Sequence, residues 1–224
     1  MARRRVASVM GTCVLLAGGI GASALLGAGP AQAVACGGAV AAGTTCTDTG
    51  TLTFTAGTLT LTAPSALGWA ATANGLDQNL FDTTVAHQTY VVDDATGSGA
   101  GWHVTVSATT FTAGAATLPN VGTFSTTGSI TSSAATTAPT AACTTGATCT
   151  LPTDSTTYPV AITTAVSSPT AVTVYDTAIA TGLGSINIGA PGALPVGWWL
   201  NVPANTKTGT SYTSTITLEV ISGP

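Results

Sequence analysis

Four tryptophan side chains offer the clearest binding chemistry in the chain. An indole ring either stacks on the apolar face of a sugar or fills the core between two sheets. Trp102 opens an alternating strand, which favours a core position. Trp198 and Trp199 are adjacent, so in a strand they face opposite ways, one into the core and the other exposed or covered by a loop. With Trp69, which follows Gly68 in a predicted loop, these are the candidate ligand-binding residues.

No motif marks a catalytic or metal site. His87, His103 and Asp93 have the residue types of a catalytic set, but no G-x-S-x-G elbow and no metal-ligand spacing accompany them. Asp93 and Asp94 are expected to be solvated in a turn. A glycosidase would need two carboxyls meeting in one cleft, and no motif marks such a pair. The sequence therefore predicts no catalytic residue, no metal and no cofactor, with a hydrolase kept only as a minor alternative.

The cysteines predict two disulfides. Cys13 lies in the N-terminal apolar stretch, which leaves Cys36, Cys46, Cys143 and Cys149. An even number of cysteines in an exported chain is typical of disulfides. Of the three possible pairings the local ones are favoured, Cys36 with Cys46 and Cys143 with Cys149. Each would close a short loop and contribute about 2–3 kcal/mol.

The first 33 residues have the pattern of a secretory signal peptide. An arginine run at residues 3–5 precedes an apolar stretch, and residues 31–33 read Ala-Gln-Ala, the small-residue pattern of a cleavage site. An uncleaved membrane anchor and a lipoprotein acylated at Cys36 are the alternatives. Cleavage would leave residues 34–224 outside the cell, with no membrane-inserted segment.

Charge excludes two classes of partner. Residues 34–224 contain one cation, Lys207, and all eight acidic residues of the chain. Nucleic acids and anionic lipids are bound by clustered Lys and Arg, so neither is expected as a partner. A weakly charged, acidic surface suits a neutral or cationic partner such as cell-wall glycan.

Composition and alternation predict an all-β chain. Helix-favouring Glu and Lys each occur once after residue 33, whereas threonine and valine, which favour strands, are abundant. Residues 52–54 and 59–61 alternate as in a hairpin, residues 63–86 are expected to form a long connection, and residues 88–92 and 102–111 are expected to be strands. About 8–10 short strands joined by turns indicate an antiparallel β-sandwich of immunoglobulin-like type.

Three predicted segments divide the chain. Residues 1–33 form the signal peptide, residues 34–49 a disulfide-stapled N-terminal segment, and residues 50–224 a single sandwich domain. Within the domain, residues 112–158 are rich in Thr, Ala, Ser and Gly. They are expected to form a long, mobile and variable insert.

Three stretches resemble the WxL-type surface domain of Gram-positive bacteria. Residues 90–106 lead through a glycine-rich turn to Gly101-Trp102-His103-Val104, residues 198–203 form a Trp-rich strand ending at proline, and residues 212–224 run from a tyrosine through an alternating strand to a proline. Val104 stands at the leucine of the first W-x-L motif. Leu218 and Val220 occupy the tryptophan and leucine of the second, which is therefore degenerate, and the chain is a divergent member.

The resemblance implies a secreted, non-enzymatic surface protein that associates with the bacterial cell wall, by implication with peptidoglycan or another wall glycan. The closing residues carry no LPxTG-like signal, which favours non-covalent attachment. The alternative is a structural or adhesive subunit that binds another surface protein through its edge strands.

Overall fold

The computed structural model describes residues 34–36, 38–39, 42–43, 45–189 and 194–224. The predicted signal peptide, residues 1–33, lies outside this range. The chain divides into two compact units, residues 1–53 and residues 54–224. In the first, two short strands pair in parallel, and Cys36 and Cys46 form a disulfide with a Cα–Cα distance of 5.1 Å.

The described residues contain fifteen strands and one short 3-10 helix, Val85–His87. The strands in chain order are β1 Val34–Ala35, β2 Cys46–Thr47, β3 Leu59–Thr62, β4 Gln78–Phe81, β5 Tyr90–Asp94, β6 Trp102–Ala108, β7 Thr112–Ala113, β8 Ala116–Thr117, β9 Phe124–Thr127, β10 Ala141–Cys143, β11 Val160–Ile162, β12 Val172–Asp176, β13 Gly184–Ile188, β14 Gly197–Val202 and β15 Ile216–Ser222. No helix among these residues is long and apolar enough to cross a membrane.

Three antiparallel sheets of residues 54–224 pack around one apolar core. Their strand orders are β10-β13-β5-β3, β11-β9-β14-β4 and β12-β6-β15, and β7 and β8 form a separate pair. Inner-face residues of all three sheets join one buried cluster. The predicted all-β sandwich is confirmed. The main sheets contain eleven strands rather than eight to ten, because short strands form in segments expected to be loops.

Strand β6 is at the centre of its sheet. Trp102, Val104 and Val106 alternate along it, as predicted, and each is fully buried. Branched and aromatic side chains at alternate positions suit a pleated strand with one face in the core. Strand β15 pairs with β6 over seven residues, from Ile216 opposite Ala108 to Ser222 opposite Trp102.

Local pattern was misleading in three places. Leu52 and Phe54 alternate but lie outside any strand and are 87% and 83% exposed, so the expected hairpin with residues 59–61 does not form. Residues 63–86 include β4 and the start of the 3-10 helix, not only a connection. Within residues 112–158, β9 pairs on both sides, with β11 and β14, so this part of the segment belongs to a sheet interior.

The second disulfide prediction is also confirmed. Cys143, the last residue of β10, bonds to Cys149 across a six-residue separation, with a Cα–Cα distance of 5.5 Å. Between them, residues 144–147 turn back through a hydrogen bond from the Ala147 amide to the Thr144 carbonyl.

The turn that leads into β6 requires glycine at residue 101, and a substitution there can test this requirement. Gly101 has a φ of 77°, and a Cβ there would lie 2.5 Å from the Thr177 carbonyl oxygen. Gly97, at a φ of 66°, has open space around its Cα. We expect Gly101→Ala to lower the free energy of unfolding by about 2–5 kcal/mol, since backbone strain and overpacking add.

Gly97→Ala, which carries only the backbone strain, is the matched control and should lose about 1–2 kcal/mol. Urea denaturation of the two purified variants measures the difference. Equal losses would show that the close approach to Thr177 has no energetic consequence.

Candidate functional site

The main cleft of the described structure is a groove of about 550 Å³. One wall is the segment from Leu67 to Leu76, and the other is the turn from Pro203 to Ser214. The floor is apolar and comes from β4, β14 and the chain after β6, through Leu80, Leu200 and Phe111. A cleft of this size with an apolar floor, one mainly apolar wall and one hydroxyl-rich wall is typical of a small-ligand site.

Trp69 connects the first wall to the core. Its indole nitrogen donates to the Trp198 carbonyl at 3.1 Å. Its ring makes edge contacts with Phe111 and Phe124, at centroid distances of 5.9 and 5.7 Å. The side chain is half-buried and lines the groove. Of the four candidate tryptophans, Trp69 is the one that the structure brings to this cleft.

A buried carboxylate holds the Trp69 segment in place. Asp82 follows β4, is 1% exposed, and accepts hydrogen bonds from the amides of Gly68 and Thr84, each at 2.9 Å. The Nδ1 atom of His87, in the 3-10 helix, lies 2.7 Å from its Oδ2 atom. Burial alone would raise the pKa of Asp82, but these hydrogen bonds lower it below the ordinary value of 3.8.

The second wall is tied down along its length. The Ala204 amide donates to Asp77 at 2.8 Å, and the Tyr212 hydroxyl donates to the Lys207 carbonyl at 3.3 Å. Thr213 and Thr112 exchange two backbone hydrogen bonds of 2.9 Å. The turn is therefore anchored near its start, across its middle and at its end.

Hydroxyl and amide groups dominate the polar lining. Thr206, Thr208, Thr210, Ser211 and the amides of Asn74 and Gln78 face the groove with Tyr212. Among the described lining residues, Lys207 is the only charged side chain. Such a surface can donate and accept many neutral hydrogen bonds, which suits a hydroxyl-rich ligand.

The other three tryptophans are in the core, which corrects their assignment as ligand-binding candidates. Trp102, Trp198 and Trp199 are 0%, 1% and 7% exposed. Each indole nitrogen donates to a main-chain carbonyl, at Gly182, His87 and Ser129 respectively. One of the adjacent pair was expected to be exposed or covered by a loop, and Trp199 is covered. Both faces of β14 are covered, with Phe81 against the Trp199 ring, so no ring face is free for stacking.

The acidic turn before β6 also differs from expectation. Asp94 is 4% exposed, and its Oδ1 atom accepts hydrogen bonds from the Thr96 amide at 3.0 Å and the Thr96 hydroxyl at 2.6 Å. It closes the turn as a buried acceptor rather than being solvated. In the part of the chain that the structure describes, no group of three or more His, Cys, Asp or Glu side chains could hold a metal ion.

Two acids do meet, beside a shallow second cleft. Asp176 lines this cleft with His103. The Asp154 carboxyl accepts from the Asp176 amide at 3.2 Å and from the Tyr158 hydroxyl at 3.0 Å. Burial raises the pKa of Asp154. Burial also acts to raise the pKa of Asp176, but hydrogen bonds from Ser155 and Asp154 lower it.

Neighbouring groups of the protein engage both carboxyls of this pair. The carboxyls of a glycosidase flank the scissile bond at least about 5 Å apart, leaving room for substrate. Here the Asp154 carboxyl accepts the Asp176 amide, and the Asp176 carboxyl accepts from the Ser155 amide and hydroxyl, each at 2.6 Å. His103 donates from Nδ1 to the Gly223 carbonyl at 2.6 Å, so that nitrogen fixes the end of the chain. The pair and His103 fasten the segments around them.

The strands that carry the two resemblance motifs are neighbours in one sheet. Val104 of β6 lies directly opposite Val220 of β15, and Leu218 lies opposite Val106. The family model for the WxL domain, described as surface cell wall-binding, matches residues 46–224.

The chain belongs to the WxL domain family. The match covers most of the chain and both motif strands, and it confirms the resemblance seen in the sequence. Comparisons with curated proteins and with solved structures gave no significant match. In this WxL domain the W-x-L positions lie on the paired strands β6 and β15, whereas the groove is lined partly by other residues of the matching stretches, such as Leu200, Pro203 and Tyr212.

Sequence reasoning missed most of the groove. In the sequence, Asp82 counts only as one of the eight acids, Lys207 only as the one cation, and Tyr212 only as the start of the third matching stretch. Lys207 is the only cation after residue 33, and this was the sequence feature that could have drawn attention to it. Residues 67–76 and 203–214 line the same groove although they are far apart in sequence. Both segments are irregular, so their sequences have no periodicity that would predict this arrangement.

The Asp82 network gives a second expectation. We expect Asp82→Asn to lower the free energy of unfolding at neutral pH by about 1.5–3 kcal/mol, because the charged acceptor for the Gly68 amide is lost. Since the folded pKa is lowered, the carboxylate stabilises the protein above about pH 4, and this advantage disappears as the pH falls through the folded pKa.

Chemical denaturation at several pH values, followed by tryptophan fluorescence, makes this comparison. Asp93→Asn, at a half-exposed position on β5, serves as the control and should have little effect. An Asp82→Asn variant as stable as wild type at neutral pH would contradict the assigned role.

For the Asp154–Asp176 pair we expect the free energy of unfolding to depend on pH in the opposite direction. A raised folded pKa of Asp154 means that its contribution is complete below the unfolded value of 3.8 and is lost as the pH rises through the folded pKa. Asp154→Asn imitates the protonated carboxyl. We expect it to match wild type near about pH 3 and to be the more stable protein near about pH 7. A variant less stable than wild type at both pH values would contradict the raised pKa of Asp154.

Proposed function

We propose that this WxL domain protein is secreted by a Gram-positive cell, has no catalytic activity, and associates non-covalently with cell-wall peptidoglycan or another wall glycan. Family membership supports cell-wall binding and a cell-surface location. The signal-peptide pattern of residues 1–33 supports export. The proposals about the identity of the ligand and the mode of attachment rest on the groove.

The single observation that carries the proposal is the combination of Trp69 with a polar lining in which Lys207 is the only charged side chain among the described residues. Sugars present hydroxyls around apolar ring faces, and they are bound where aromatic and apolar groups lie beside hydrogen-bonding side chains. The groove has an apolar floor, Trp69 and Tyr212 as aromatic groups, and hydroxyls and amides on its walls. Because both walls are anchored by hydrogen bonds, little ordering entropy would oppose binding.

A blocking substitution tests the groove without disturbing the core. Ala71 is exposed and lines the groove, so a tryptophan there would fill the cleft. We expect wild-type protein exported by the producing cells to sediment with insoluble cell wall. Ala71→Trp should weaken that binding about tenfold or more, equivalent to about 1.4 kcal/mol.

Ala134→Trp is the matched control, since Ala134 is exposed and lies outside the groove lining. It should bind wall as wild type does. The groove is excluded as the binding surface if both variants bind equally well. Wall binding as a whole is excluded if wild type stays in the supernatant.

The alternative, a structural or adhesive subunit that binds a protein by strand pairing, is favoured by the edge strands. Among the described residues β4 pairs with β14 on one side and with no strand on the other. Such an edge can accept a strand from another protein. Sedimentation of the purified chain distinguishes the two functions: a monomer that binds wall supports the glycan proposal, and self-association or a companion protein in the wall-free fraction supports the alternative.

A further inference from the structure

We propose that the occupant of the groove is an anionic saccharide, and that the Lys207 ammonium pairs with a carboxylate on it. This inference rests on the proposed function, since it names the chemistry of the ligand at the same site. It arises from the position of the single cation of residues 34–224.

Lys207 is exposed on the turn that forms the second groove wall. Eight acids occur in the same part of the sequence, yet none is among the described lining residues. The nearest acid along the walls, Asp77, is engaged with the Ala204 amide. Lys207 forms no ion pair among the described residues. It is the one charged side chain among the described lining residues, and its sign is opposite to the net charge of residues 34–224.

The main chain at Lys207 is held while its side chain extends. Its carbonyl accepts the Tyr212 hydroxyl, and the preceding Thr206 amide donates to the Pro203 carbonyl at 3.0 Å. Gly209, at a φ of 83°, turns the chain back towards Tyr212. Lys207 is thus carried on a fixed turn together with Tyr212 and several hydroxyls. A ligand with a sugar face and one negative group would complement all three.

A single lysine favours a carboxylate over a polyphosphate. Phosphodiester polymers carry a charge on every repeat, and proteins that bind phosphate chains do so with several cations or with bidentate arginine. Residues 34–224 contain no arginine and one lysine. One point charge beside neutral donors matches one carboxylate on an otherwise neutral saccharide.

The test measures binding to purified insoluble wall from the producing strain as a function of salt. Because the pair is exposed, we expect Lys207→Ala to weaken binding about two- to tenfold at low salt and to remove most of its salt dependence. Lys207→Glu should weaken binding further, and Lys207→Arg should retain it. Equal melting temperatures would show that the variants are folded, since the side chain makes no contact with the core.

Chemical treatment of the wall identifies the anion. After carbodiimide amidation of wall carboxylates, wild type and Lys207→Ala should bind equally. After removal of phosphodiester polymers with hydrofluoric acid, the difference between them should persist. Loss of the difference on acid treatment alone would overturn the carboxylate assignment and identify a phosphodiester.

The outcomes separate this inference from the proposed function. If Lys207→Ala binds as wild type does at every salt concentration while Ala71→Trp does not bind, the groove is the wall site but the ligand is not anionic at Lys207. If wild type itself fails to bind, the proposed function and this inference are both wrong.

Discussion

The structure depends on buried indoles that donate to main-chain carbonyls of distant segments. All four tryptophans make such a bond, and their partners lie 129, 80, 111 and 70 residues away in sequence. A buried tryptophan contributes a large apolar surface, and its N–H needs an acceptor to avoid a desolvation penalty. Each indole therefore joins segments that are distant in sequence. Trp69 ties its loop to β14, and the three buried rings hold carbonyls of the 3-10 helix and of two loops. In a domain with few charges, these bonds and aromatic contacts connect segments that ion pairs would otherwise connect.

The central strand β6 could be predicted from the sequence because apolar and polar residues alternate along it. Trp102, Val104 and Val106 alternate, and a two-residue period has the same meaning wherever the strand packs. Leu52 and Phe54 have the same period, but no described segment covers them. Alternation specifies a face, and only long-range packing decides whether that face is buried. β4 and β9 were missed for the converse reason, since Gln78-Asn79 and Ser125-Thr126-Thr127 are polar residues whose strand conformation comes from pairing with β14.

The groove was less predictable than the fold. Tryptophan as a residue type led to one side chain of the groove, Trp69, whereas three of the four tryptophans serve the core. Trp69 differs because it sits on a segment without regular structure, held by the Gly68 amide and by its own N–H bond to Trp198. Loops on rigid sheets are where binding surfaces are usually formed. Which loops meet is set by the sheet topology, and topology is not encoded in the composition of the loops.

Asp82 shows how the sheet and the groove wall are coupled. Its carboxylate joins the end of β4, the 3-10 helix and the segment of Trp69. The Trp198 carbonyl accepts both the Asp82 amide and the Trp69 indole, so one peptide of β14 supports both sides of this junction. The wall is therefore positioned by the same ladder that forms the sheet. A ligand in the groove would contact a surface whose geometry is set by the core, which favours binding to a preformed site over one that orders on contact.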